Sequence, residues 1–460
     1  LALWLQARAD RQRADRERHN AVAALREAEG ARGQADAARR RAEAARDRAL
    51  SSIRNIVFTE GSELDIEEAR PYRQALTAAG LHEAQELVRS LEGDPGSEIQ
   101  LIMAHLALLR VQLDAGRPDA AAETGRKALA MAEALDARRH SSESRATLAA
   151  TLHRLTLLPG RPEEIRDFAR RSNALFEAIE AERPDGPPAE AHSIALNHYN
   201  IGNAWFSEGK RPEAAAAFES SVRVCEDAIR RGDRGRGIRL DLARALVYLG
   251  RARLQLGRPA DAVGPIRQAI ATYREWLDES PSDAVVPGLL YLAHEELSFA
   301  YQGLGRREDV IACHEAAREM LKATAERHQG VVSRVADLQA KVAVVDYNLA
   351  GACEGDLARN YTRYRAAWTE AYAICDKLEL FGPLSDDLKT VLAMASYQRA
   401  DFRAEDGEAP DLEDLARAER LWDELRARQP WSLAHRALLA IVRYELAEDL
   451  ESLGRDAEAR

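Results

Sequence analysis

The chain holds 460 residues, 46% hydrophobic and 31% charged, with 65 Lys+Arg against 76 Asp+Glu and a formal charge of −11. That apolar share excludes a disordered chain, 27 Gly and 16 Pro exclude a collagen-like one, and four Cys exclude a disulfide scaffold. No run of roughly 18 apolar residues is present, so these residues contain no complete membrane span.

The first element opens on Leu1-Ala2-Leu3-Trp4-Leu5, too short to cross a bilayer. It reads as the end of a truncated membrane span, or else as an ordinary helix start. Residues 1–50 then carry 12 Arg and 8 Asp/Glu, a net of +4. Ala14, Ala21, Ala28, Ala35, Ala42 and Ala49 recur every seven residues, with Ala24, Ala31, Ala38 and Ala45 three further on. This spacing predicts a long helix over 1–58 with a narrow, weak coiled-coil seam that offers a homodimer contact. The alternative is a solvated Ala/Arg helix. Acids interleave with the Arg run and no aromatic platform accompanies it, so nucleic acid is not expected as a partner.

Residues 59–96 are expected to form a helix pair and linker: helices near Ile66–Ala79 and Leu81–Leu91, hinged at Gly80, before the breaker Gly93-Asp94-Pro95-Gly96. From residue 97 to 460 the chain repeats. A Gly-Arg-Pro-like turn followed by an acid and a small residue appears at Gly116, Gly160, Gly209, Gly257 and Gly305, with steps of 44, 49, 48 and 48, and again at Gly454. Degenerate copies fall near Gly355 and Gly407. Glycine can end a helix in the left-handed conformation, and proline can open the next one at no hydrogen-bond cost. Seven residues before the marker lie Gly202, Gly250 and Ser298, positions of close helix approach, and Ala214 and Ala262 follow five after it. The last repeat stops inside its turn, at Gly454–Arg460, and is expected to be truncated.

Ile201-Gly202, Trp205, Gly209, Ala214 and Phe218 in the third copy resemble the tetratricopeptide repeat (TPR) pattern. The fold class is therefore expected to be all-α: a TPR-like solenoid of helix hairpins behind a long N-terminal helix. TPR repeats are typically about 34 residues long, so each hairpin here carries extra residues in its helices or in its loops. Segments such as Glu182–Pro188 and Ser280–Asp283 favour loops for part of it. The order of parts also resembles the C-terminal region of bacterial membrane-anchored serine/threonine protein kinases. That resemblance implies a longer parent enzyme, since this chain has no glycine-rich loop, His-Arg-Asp or Asp-Phe-Gly motif. Five Arg between Arg8 and Arg18 would place that side of a membrane in the cytoplasm by the positive-inside rule, in tension with a tail placed outside.

No catalytic, metal or cofactor motif is found. Cys225, Cys313, Cys353 and Cys375 are widely spaced and read as packing residues. Gly232–Gly237 reads as a loop between hairpins. The remaining chemistry lies on a surface, because in TPR arrays the first helix of each hairpin lines a concave groove. The resemblance puts Tyr199, Asn200, Asn203, Phe206, Arg244, Tyr248 and Arg251 near it. Amides there suit a peptide backbone, and the two Arg could fork onto a carboxylate. Glu295 and Glu296 would add negative charge one repeat later. The alternative is that Tyr199 and Phe206 are packing residues and the charges are solvated. The sequence thus points to a non-catalytic interaction scaffold for a protein or peptide, soluble as it stands, with the kinase tail as the second reading.

Overall fold

A hairpin turn must end one helix and begin another within a few residues, and glycine makes that geometry accessible. A computed structural model of the chain describes residues 70–92, 97–182, 190–233, 235–281, 283, 285–330, 332–409 and 411–459. In it Gly116, Gly209, Gly257, Gly305, Gly407 and Gly454 take φ from +68° to +80°. Each glycine N–H bonds the carbonyl three residues back and the next N–H the carbonyl five back, as in Gly209 to Phe206 at 3.1 Å and Lys210 to Trp205 at 3.0 Å. These bonds satisfy carbonyls that the ending helix leaves open. Gly407, expected to be degenerate, forms the full turn.

Two copies differ. At Gly160 the preceding helix has already tightened through Thr156, Leu157 and Leu158, each bonded three residues back, so no left-handed glycine is needed. At Gly355 the Arg307 guanidinium packs against the backbone, so close that an added Cβ would lie 2.3 Å from it.

The resulting helices are α1 (Arg70–Leu91), α2 (Glu98–Asp114), α3 (Pro118–Arg139), α4 (Ser142–Leu155), α5 (Pro162–Ala181), α6 (Ala191–Ser207), α7 (Arg211–Arg230), α8 (Arg236–Gln255) and α9 (Pro259–Glu279). They continue as α10 (Val286–Gly303), α11 (Arg307–Arg327), α12 (Val332–Glu354), α13 (Leu357–Glu379), α14 (Asp386–Glu405), α15 (Leu412–Arg428), α16 (Leu433–Ser452) and the short α17 (Asp456–Ala459). No strand occurs among the described residues. The fold class is all-α, a TPR-like array of helix hairpins. Even-numbered α2 to α16 are the first helices of the hairpins and the odd-numbered ones that follow are the second. The long period is absorbed by the helices: α6 has 17 residues, α7 and α8 have 20, α9 has 21, and α12 and α13 have 23. Gly232 lies in the loop expected there, although Arg236 and Gly237 already belong to α8. The coil expected over 1–58, the membrane-span remnant expected at its start and most of the Glu182–Pro188 segment lie outside the described residues.

The described residues divide into two compact units, 71–131 and 132 onward, with the division inside α3. In the first, α1 runs unbroken through Gly80, so the expected hinge is absent. A mid-helix glycine costs about 1 kcal/mol relative to alanine. Here Leu81, Ala84, Leu87, Val88 and Leu91 pack as one face on Ala104, Leu108 and Val111, and that burial holds the helix straight through.

In the second unit each hairpin closes on a small residue set against a large one. A Cβ on Gly202 would meet the fully buried Phe218 ring at 2.5 Å, and one on Gly250 would meet Ile266 at 2.4 Å. Ala214 and Ala262 are wholly buried beside them. The apolar core is built of several clusters. One runs from Ala191 to Cys313, another from Ile311 to Val442, with smaller ones between and before them. First helices also pack on the next first helix: α4 on α6, α6 on α8, α8 on α10, and α12 on α14. Second helices meet through side-chain ion pairs instead, such as Arg417 of α15 with Asp376 of α13 at 2.8 Å and Arg171 of α5 with Glu133 of α3 at 2.5 Å. Among the described residues no such backbone contact joins α10 to α12 or α14 to α16, although the Tyr397 hydroxyl of α14 reaches Glu445 of α16 at 2.6 Å.

Gly202→Val should therefore destabilise the second unit by about 1–3 kcal/mol through overpacking against Phe218. Gly351→Ala, at an exposed helical position with nothing within 4 Å of the new Cβ, should stabilise it by about 0.5–1 kcal/mol. Urea unfolding followed by circular dichroism gives both signs.

Candidate functional site

Helix periodicity puts Tyr199 and Asn203 on one face of α6, and Arg244, Tyr248 and Arg251 on one face of α8. The packing of α6 on α8 brings these five together. The Tyr199 ring lies 5.1 Å from Tyr248, edge-on, and both sit 5.7 Å from Phe218. Burial, together with Tyr248, raises the Tyr199 hydroxyl above its usual range, while the Asn203 amide lies against it. Arg244 approaches the Tyr199 ring at 5.8 Å, and Arg251 covers the Tyr248 ring at 4.9 Å.

The other two residues point elsewhere. Asn200 donates to the Thr156 hydroxyl at 2.8 Å, at the join with α4. Phe206 lies at the end of α6 with the Arg211 guanidinium 4.0 Å from its ring centre.

The polar groups of this patch are largely committed within the array. Arg251 places both Nε and Nη2 on one oxygen of Glu296, at 2.7 and 2.6 Å, with that carboxylate 9% exposed. The guanidinium fork thus closes a bridge from α8 to α10, and Glu296 brings no free charge. Arg244 stands 3.6 Å from Asp241, which also holds His192 at 2.5 Å. Glu295 accepts from the Tyr291 hydroxyl at 2.5 Å. Further back, His153 meets Asn197 at 2.8 Å and Asn197 donates to Asn173 at 2.7 Å, a buried polar chain joining α4, α5 and α6. Burial pushes His153 down to about 4, so its imidazole is neutral at neutral pH.

Sequence reasoning missed the opening in the first-helix row. Between α10 and α12 lies a cleft of about 500 Å³, reached also by Trp368 of α13 and Met394 of α14. Ser298 and His314 line it, the same sequence positions that hold Gly202 with Phe218 and Gly250 with Ile266 in earlier hairpins. Phe299 stands at its edge with 56% of its surface exposed. It also lines a neighbouring cleft of about 560 Å³ formed with Arg251, Leu254, Pro259 and Glu296. The cue in the sequence was Phe299 directly after the close-packing position, where an aromatic has no partner helix to fill.

All four cysteines are buried on helices, as packing residues. Burial raises Cys313 to about 12 and Cys375 to about 12, which leaves both as unreactive thiols. Among the described residues no group of three His, Cys, Asp or Glu is placed to hold a metal, and no helix is long and apolar enough to cross a membrane.

No protein-family model and no curated protein sequence matches the chain. Solved structures similar to it include the apo form of RapI, at 10% identity over 89% of this chain and 95% of that one, with a TM-score of 0.43. BtubC (BKLC) from P. vanneervenii is 18% identical over 55% of this chain and 91% of its own, at 0.39. The C-terminal part of a TPR repeat-containing protein from Cytophaga hutchinsonii is 11% identical over 65% and 90%, at 0.36. All three scores are below 0.5, so the fold class rests on the hairpin geometry described above.

Arg251→Ala should cost about 3 kcal/mol of stability, because it strands the buried Glu296 carboxylate. The pair Arg251→Leu with Glu296→Leu should lose clearly less than the two single changes summed, as read from urea unfolding of all four proteins.

Proposed function

We propose that this chain is a non-catalytic interaction scaffold that takes a protein or peptide partner along its first-helix face. The observation that carries the reading is the cleft between α10 and α12, with an exposed aromatic, Phe299, at its edge. A cleft of this size, in which Phe299, Tyr347, Trp368 and Met394 stand among polar groups such as Gln302, Asn348 and Glu354, is the kind of pocket that anchors a partner side chain. Tyr199, Asn203, Arg244, Tyr248 and Arg251 belong to the same face one and two hairpins earlier. They add an aromatic surface flanked by guanidinium groups. Asn200 and Phe206 support the array from beside it. The N-terminal coil is part of the same proposal, as a homodimer contact.

The order of parts in the sequence favours a second reading for the parent protein, the tail of a membrane-anchored serine/threonine kinase. Sequence upstream of Leu1 decides that point: a span and a His-Arg-Asp catalytic loop support it, and their absence removes it.

The scaffold reading is tested with a photo-crosslinking residue placed at Phe299 and, separately, at Ala216, an exposed position on the second helix α7. The expected result is discrete adducts from native lysate at 299 that are absent at 216. Equal labelling at both positions, or none at 299, removes the reading.

A further inference from the structure

The charge on the first-helix face changes along the array. Near α8 it carries Arg244 and Arg251. From α10 onward it carries acids. Glu295 and Glu354 line the cleft between α10 and α12. Met394 reaches the same cleft from α14, and Asp401 and Glu405 follow it at seven and eleven residues, two and three turns along the same side of that helix. The buried Tyr364 marks where these groups meet. Burial raises its hydroxyl, and the nearby charges of Glu354, Asp401 and Glu405 raise it further. Asp401 is itself raised, by partial burial and then by Glu445 of α16 and Glu405. Glu354 in the cleft, Asp401 and Glu405 on the Met394 side of α14, and Glu445, reached by Tyr397 of α14, thus place four carboxylates from three successive first helices along one stretch.

Among the described residues none of the four has an Arg, Lys or His partner. Glu405 accepts from the Tyr361 hydroxyl, and Glu445 from Tyr397 at 2.6 Å, which fixes the carboxylates without neutralising them. The cationic side chain lining the cleft is Arg307, and it donates to the Gly355 carbonyl at 2.7 Å. Burial pushes His314, also in the cleft, down to about 4, so it contributes no positive charge at neutral pH. The acids are too dispersed to close around one metal ion. A cleft that offers Phe299, Tyr347, Trp368 and Met394 among its polar groups, beside carboxylates without an ion-pair partner, is complementary to an extended chain of alternating chemistry.

We infer that the stretch of this face from α10 to α16 takes a positively charged peptide segment, with Lys or Arg over Glu354, Asp401, Glu405 and Glu445 and an apolar side chain in the cleft beside Phe299. The inference rests on the scaffold reading and names the class of partner. Uncompensated charge on a face steers and selects an oppositely charged partner, and it does so less at high salt.

The test uses the full chain and a fluorescein-labelled peptide of Lys, Leu and Gly, with a counterpart carrying Glu in place of Lys, read by anisotropy. Glu354→Gln/Asp401→Asn/Glu405→Gln removes three charges from the face and breaks no ion pair. Glu213→Gln/Glu226→Gln/Glu319→Gln removes three from exposed positions on second helices. The expected result is binding of the Lys peptide that weakens about tenfold in the first variant, falls with salt, and changes less than about twofold in the second. Phe299→Ala should weaken it as well. Equal loss in both charge variants would mean unspecific attraction and would overturn the inference, as would equal binding of the Glu peptide or no binding of the Lys peptide. A partner crosslinked at Phe299 through an acidic or uncharged segment would overturn it too, while leaving the scaffold reading intact. Absence of any crosslink at Phe299 would remove that reading itself.

Discussion

The architecture depends on how closely two helices of a hairpin can approach. Gly202 lets the Phe218 ring lie where its own Cβ would be, and Gly250 does the same for Ile266. Ala214 and Ala262, wholly buried, extend the contact by one turn. With the backbones this near, large side chains from the second helix fill the space between hairpins, and the next first helix packs on the same cluster. The arrangement repeats because each hairpin buries its apolar side only against its neighbours.

The same rule explains where the array opens. In the hairpin of α10 and α11 the close-packing position is Ser298, its partner is His314, and both line a cleft. Phe299, with no helix over it, remains half exposed. Two apolar clusters meet in this region, one reaching Cys313 and the next starting at Ile311, with the half-buried Ala352 packed against both. A departure from the repeat thus coincides with the feature that carries the functional proposal. Local conflict with an otherwise consistent pattern is where function is expected to reside.

Much of the polar surface is spent on joining hairpins. Arg251 to Glu296, Asn200 to Thr156, His153 to Asn197 and Tyr397 to Glu445 each link residues about one period apart. Breaking one partner of such a bridge strands a desolvated group, which is why these contacts tie each hairpin to its neighbour. What they leave unmatched on the first-helix face is mainly negative and lies beyond α10.

The turns were legible in the sequence. Glycine at the end of one helix and proline at the start of the next act through their own backbone restrictions, and Gly209 or Gly257 needs no distant contact to form its turn. All-α hairpins, their approximate period and the small-residue positions follow from such local rules. The sequence did not determine whether the extra residues lengthen helices or loops, whether Gly80 breaks α1, or why Gly160 and Gly355 avoid the left-handed conformation. Those outcomes depend on apolar burial and on an arginine from another hairpin. Nor could it show that Arg251 is already occupied and Asn200 turned away, because their partners lie 45 and 44 residues off. Helix periodicity assigns a residue to a face. Only the packing of one hairpin on the next decides whether that face meets protein or solvent, and so the cleft at α10 and the unpaired acids beyond it emerged from the tertiary structure alone.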